Sequence, residues 1–318
     1  MLPVSDELKQ KLQEANRKLR QAYPSEALNA RQIRDSLKQV GKLRKIEKWS
    51  SQELKEWLQG GTLVGVDGSV NSTPGSYPHT LSFFQALAKG TKGEEHWAAE
   101  LYTPLLDPDE EGVEGRLARE ANRRGTILSG LEMDVALEAI QKWSPRVVMM
   151  DGSLLHFRID DADRWSYLAE EALKRDILLV GVSEEIGTSS LARLLFPHYP
   201  AWSDRDLFYG VLELGEVYET KEELDTNGQL WKSVLRSSVS PQPIGVDGLV
   251  EQEEYREELI RLVYTLTPRQ GRGVPFWLDI IDTQVRVTDP LVKAMVEKYI
   301  DPDLQHRLLL PKRSERGN

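Results

Sequence analysis

The sequence predicts an α/β fold: a mixed sheet in which three antiparallel strands precede an α-β-α-β run, with helices ahead of it and a β/α extension behind. Three observations lead there. Short strand-like runs recur at "TLVGVD", "HTLSFFQALAKG" and "EEHWAAELYTPL" with brief connections, the pattern of an antiparallel meander. Helical segments then alternate with the apolar runs "RVVMMD" and "ILLVGVS", which implies parallel pairing under covering helices. The chain has 318 residues, 40% hydrophobic and 29% charged, enough to bury a globular core.

Taken in order, residues 5–58 have a helical, amphipathic pattern with basic clusters in "RQIRDSLKQVGKLRKIEKW", and residues 1–59 are read as an N-terminal helical arm with a solvated face. Gly60-Gly61 marks the change to the core, about residues 60–195. After the three meander strands, "EGRLAREANRRGTILSGLEMDVALEAIQKW" is a long helix ended by Ser144-Pro145. "RVVMMD" is a strand, "DRWSYLAEEALKRD" a helix and "ILLVGVS" another strand. Beyond them "DLFYGVLELGEVYE", "LWKSVLRSS" and "QPIGVD" read as peripheral strands, and "VEQEEYREELIRLVYTL" and "VPFWLDIIDTQVRV" as helices. "DPLVKAMVEKYI" is a helix with Asp289 as N-cap and Pro290 in its first turn. Residues 301–318 form a basic tail.

Composition excludes several chemistries. Without cysteine there are no disulfides, thiolate zinc sites or Cys nucleophiles. The five histidines show no paired metal-ligand spacing. No GxxxxGK[ST] phosphate loop occurs. No apolar run approaches ~18 residues, and the charged N-terminus lacks a signal-peptide core, so a cytoplasmic address without membrane contact is expected. Asp and Glu number 51 against 41 Lys and Arg, a net charge of −10. That balance opposes coating of nucleic acid by charge, yet it permits an enzyme that concentrates cations.

The chemistry lies in two similar stretches, "LVGVDGSVNS" and "RVVMMDGSLL". Each delivers an aspartate, Asp67 or Asp151, to the end of a buried strand with a glycine behind it. The glycine permits a sharp turn and close approach of a phosphate. One such Asp-Gly is ordinarily a turn, and Asp247-Gly248 in "IGVDGL" is read so. Two at matching topological places, with Glu132 and Asp134 on the intervening long helix, suggest a shared carboxylate site. Ser69 and Ser153 are read as hydrogen-bonding within their turns. Strand Asp, helix Glu, strand Asp on a βββ-α-β-α-β core is the arrangement of RNase H-like nucleases. Such sites hold two divalent cations about 4 Å apart with hard oxygen ligands; Mn2+ or Mg2+ suits them.

The pair "GVDGS" and "VVMMDGSL", the helix acid, "ILLVGVS" and the late "VPFWLDIIDTQVRV" together resemble the NurA nuclease family over residues 60–300. The resemblance implies an RNase H-like fold, a homodimer and a manganese-dependent DNA nuclease. It further implies 5′-3′ exonuclease or single-strand endonuclease action in end resection and double-strand break repair, with the hexameric ATPase HerA. By motif, Asp67 and Asp151 become metal ligands and catalytic residues, and Glu132 the helix ligand with Asp134 as alternative. The family often has a lysine after its "VS" strand end and Ala-His in its late motif. This chain has Glu184 and Ile281-Asp282 there, so Asp282 is the expected fourth ligand, with Asp279 as alternative. These departures also admit a second reading, a catalytically weak or inactive scaffold subunit that binds DNA and the ATPase. A phosphomonoesterase using the same ions is a third.

For DNA contact, Arg123 and Arg124 on the long helix and Arg269 and Arg272 in "PRQGRG" offer local positive charge, and Tyr77 in "STPGSYPHT" can stack on a base. Intrinsic affinity is expected to be weak and salt-sensitive, which suits a chain fed by a motor.

Overall fold

A computed structural model describes residues 4–24, 29–107, 115–220 and 228–309. The chain opens with helices α1 (Asp6–Ala22) and α2 (Ala30–Val40), strand β1 (Gly41–Lys45) and helix α3 (Ser51–Leu58). Strands β2 (Leu63–Ser72), β3 (Ser82–Gly90) and β4 (Glu95–Tyr102) follow, then α4 (Arg116–Trp143), β5 (Val147–Asp151), α5 (Leu154–Asp160), α6 (Ala162–Lys174) and β6 (Leu178–Ser183). Next come α7 (Ser190–Leu195), α8 (Asp204–Phe208), β7 (Glu216–Thr220), β8 (Leu230–Leu235) and β9 (Ile244–Leu249). The chain continues through α9 (Arg256–Leu266), α10 (Phe276–Val285) and α11 (Asp289–Tyr299). It divides into two compact units: residues 49–182, 251–254 and 275–318, and residues 1–48, 183–250 and 255–274.

The first of these units carries the predicted core, three antiparallel strands followed by alternating helices and strands. Its strands run in the order β6-β5-β2-β3-β4. β2 pairs antiparallel with β3 and β3 with β4, whereas β5 joins β2 and β6 in parallel. The apolar runs explain this order. Val147 to Met150 and Leu178 to Val182 are buried throughout, as parallel strands covered on both faces must be, whereas β4 alternates toward solvent at the sheet edge. α4 buries Met133, Val135, Ala136, Ala139 and Ile140, one apolar stripe at helical spacing.

The other unit has an antiparallel run β1-β7-β8-β9. Its core gathers Ile33 and Leu37 of α2 with Trp202, Leu207, Phe208 and Tyr218. Arg34 clamps α2 to β7 with two hydrogen bonds to Glu216, 2.6 and 2.7 Å, the bidentate geometry that suits a partly buried ion pair.

Five expectations need correction. Residues 5–58 are not wholly helical: Gly41–Lys45 is β1, and its glycine lies where a Cβ would collide with the Tyr218 ring. "DLFYGVLELGEVYE" is not one strand: it starts inside α8 and reaches β7 only at Glu216. Asp247-Gly248 is no turn: both pair with β8 inside β9, and Gly248 leaves room for the Trp231 ring. Asp67-Gly68-Ser69 is no turn either, because all three pair with Leu87, Ala86 and Gln85 of β3 while β2 runs on to Ser72. The N-cap of α11 is Thr288, whose side chain accepts from Leu291 N–H, one residue before Asp289. Of the basic tail, residues 310–318 lie outside the described residues.

Candidate metal centre

Register brings the two aspartates together. Val66 stands opposite Met150 in the parallel β2–β5 ladder, whose pairing ends there. Asp67 and Asp151 are the next residue on each strand. Both therefore leave the same face, from strands about 4.8 Å apart.

β2 is covered by a helix on each side. A Cβ on Gly65 would strike Ile281 and Trp277 of α10, and Ser69 Oγ accepts from Val287 N–H just beyond that helix at 2.9 Å. The side chain of Asp67 lies on that same face by alternation. A Cβ on Gly68, on the opposite face, would lie 2.8 Å from Glu132 Oε1 and 2.8 Å from Leu128 Cδ1 of α4. The missing side chain is thus the space that the Glu132 carboxyl fills. Gly68 is needed for that clearance and not for a turn.

The two carboxyls meet at one backbone group. Leu63 and Thr73 bond to the β3 side, so alternation directs the N–H of Gly68 to the β5 side, past the end of the ladder. It donates to Asp67 Oδ1 at 2.7 Å and also supports the Glu132 carboxylate. Asp67 is 8% exposed and Glu132 7%. Burial holds the Glu132 carboxyl well above the usual carboxylate range, with the charges of Asp67, Asp151 and Asp160 adding to the rise and the Gly68 N–H opposing it. A buried carboxyl within reach of the Asp67, Asp151 and Asp160 charges is neutralised by a proton or by a cation.

Asp134, the alternative helix acid, points elsewhere. It is exposed and pairs with Arg164 of α6 at 3.5 Å. Its carboxyl is raised by partial burial, which the Arg164 charge opposes. Asp282 is half-buried on α10 and pairs with Arg286 one turn on. α10 advances along β2 from Gly65, level with Trp277 and Ile281, to Ser69, level with Val287. Asp67 lies midway, so Asp282 is the closer of the two α10 acids to its level and Asp279 lies about a turn behind. Asp160, at the end of α5, escaped the sequence reading; its signal was the acid pair in "RIDDADR". It accepts a hydrogen bond from Ser129 Oγ at 2.6 Å. Ser153 caps α5 by accepting from Leu155 N–H.

Among the described residues, no three His, Asp or Glu side chains already converge as a preformed ion cage. The fit to a divalent cation rests on the donors: all are carboxylate oxygens, they repel one another, and Glu132 is buried. That chemistry suits Mg2+ or Mn2+.

The basic residues have defined surroundings. Arg124 donates to Ser72 Oγ at 3.0 Å. Arg123 pairs with Asp107 and lies over the Tyr102 ring at 4.7 Å. Tyr77 carries the Arg116 guanidinium 4.8 Å from its ring centre. In the other unit Arg269 is exposed and Arg272 pairs with Glu184 at 3.0 Å. No helix among the described residues is long and apolar enough to cross a membrane.

Residues 61–287 match the NurA domain model. The NurA nuclease from Sulfolobus solfataricus superposes with a TM-score of 0.59 at 15% identity, covering 96% of this chain and 98% of that one. The catalytic domain of human endonuclease V has a TM-score of 0.38 at 15% identity, covering 82% and 96%. Endonuclease V of Ciona intestinalis, bound to inosine-containing DNA, has 0.37 at 11%, covering 79% and 99%. Among curated proteins none matches the sequence. With the family model spanning most of its length, the chain belongs to the NurA domain family.

Proposed function

We propose that this protein is a divalent-cation-dependent DNA nuclease in which Asp67, Glu132 and Asp151 hold the ions. The observation that carries the reading is the burial of the Glu132 carboxyl beside two aspartates from neighbouring parallel strands. Asp282 is the fourth ligand in this proposal, ahead of Asp279, because it stands nearer the level of Asp67. Bound there, Mn2+ or Mg2+, two ions in this reading, supply Lewis-acid stabilisation and water activation for phosphodiester hydrolysis.

The chain's own part is positional. The Gly68 N–H orients Asp67 and Glu132 together. Arg124 lies eight residues before Glu132 on α4, a little over two turns and about 12 Å along the axis, and about 80° around it. A strand whose scissile phosphate sits at the carboxylates can place a neighbouring phosphate near Arg124 and stack a base by Tyr77. Arg123, Arg269 and Arg272 are further candidate phosphate contacts. Family membership supports a homodimer acting with a HerA-type hexameric ATPase in end resection and double-strand break repair. The net charge of −10 supports dependence on a motor that delivers DNA.

The absence of a preformed cage among the described residues and the Asp282–Arg286 pair favour one rival, a scaffold subunit that binds DNA and the ATPase without cutting. Labelled linear DNA incubated with Mn2+, with and without EDTA and then with the ATPase, separates the two. Cleavage that EDTA abolishes supports the nuclease; no product under any condition supports the scaffold.

A further inference from the structure

We propose that the Ser129–Asp160 hydrogen bond is a positioning device that holds Glu132 for cation binding; the inference rests on reading the carboxylates as a cation site. Asp160 ends α5, the helix that starts three residues after Asp151. Ser129 lies on α4, three residues before Glu132, and is buried there. Its hydroxyl donates to Asp160 Oδ2 at 2.6 Å, and Thr126 Oγ1, one turn earlier, donates to the Asp160 carbonyl at 3.3 Å. The helix that follows Asp151 is thus latched to the helix that presents Glu132.

Capping does not account for Asp160. Its neighbour Asp161 caps α6, accepting from Arg164 N–H at 3.1 Å. A carboxylate in the last turn of α5 also opposes the helix dipole. Residues that fix a ligand's orientation from behind commonly set metal affinity, and their loss costs about 10–100-fold.

The test measures Mn2+ binding to the full chain by calorimetry without DNA, together with the Mn2+ concentration that half-saturates cleavage and the rate at saturation. Ser129→Ala and Asp160→Ala are each expected to weaken Mn2+ binding about 10–100-fold, with the rate at saturating Mn2+ largely retained. The double variant should be little worse than either single, because both remove one bond. Asp160→Asn keeps an acceptor oxygen for Ser129 and should recover most of the affinity. Thr126→Val, a milder change in the same latch, should shift affinity in the same direction. Unchanged affinity in both alanine variants overturns the positioning role, as does an asparagine variant as weak as the alanine. A wild-type chain that takes up no Mn2+ overturns the site reading itself, and the inference with it.

Discussion

Gly68→Ala is the sharpest perturbation of the proposed centre. The added Cβ would sit 2.8 Å from Glu132 Oε1, 2.8 Å from Leu128 Cδ1 and 2.9 Å from Glu132 Cγ, where ordinary contact begins at 3.4 Å. The Glu132 side chain must therefore retreat by 3.4 − 2.8, about 0.6 Å. Overpacking of this kind costs about 1–3 kcal/mol, and the lower chain entropy of alanine returns roughly 0.5–1 kcal/mol of it. The net loss of stability should lie between about 0 and 2.5 kcal/mol. Misplacement of catalytic groups by about 1 Å costs on the order of 100-fold, so a shift of about 0.6 Å should lower cleavage by roughly 10-fold or more. Gly152→Ala is the control. Its Cβ would meet nothing nearer than Phe157 at 3.7 Å, but its φ of +124° strains any side chain, at about 1–3 kcal/mol. Thermal denaturation and Mn2+-dependent cleavage of labelled DNA, measured on both variants, should show Gly152→Ala losing at least as much stability and Gly68→Ala losing more activity. Cleavage by Gly68→Ala within about twofold of wild type would refute the idea that this glycine exists to admit the glutamate.

Further outcomes follow from the same geometry. Asp67→Asn and Asp151→Asn should each abolish Mn2+-dependent cleavage with the fold retained by circular dichroism, whereas Asp134→Asn, which faces Arg164, should change the rate little. Because the folded state raises the Glu132 pKa, its contribution is most favourable below the unfolded carboxylate value of about 4.3 and is lost as pH rises toward the folded value. Glu132→Gln should therefore gain Tm relative to wild type as pH rises in EDTA, and a gap between the two that does not change with pH would contradict that sign. Arg124→Ala should weaken DNA binding across sequences and flatten the salt dependence by somewhat under one charge, about 0.7 for a single strand; an unchanged salt slope counts against phosphate contact there.

Much of the core was legible because burial leaves a one-dimensional trace. Val147 to Met150 and Leu178 to Val182 are continuous apolar runs since both their faces are covered. Their parallel pairing then forces Asp67 and Asp151 side by side. What stayed hidden depends on neighbours distant in sequence. Asp-Gly resembles a turn until β3 and β8 pair across it, so β2 and β9 run further than composition suggests. Which of Glu132 and Asp134 lies on the side of α4 that faces β2 appears only once Gly68 is packed against Glu132. Asp160 was invisible because its partner Ser129 is 31 residues away on another helix.

Diffraction from an Mn2+-soaked crystal at the manganese edge locates the ions and the side chains that hold them. Anomalous peaks are expected within bonding distance, roughly 2.0–2.4 Å, of carboxylate oxygens of Asp67, Glu132 and Asp151. Peaks that avoid all three side chains, in crystals that bind Mn2+ elsewhere, would contradict the proposed metal centre.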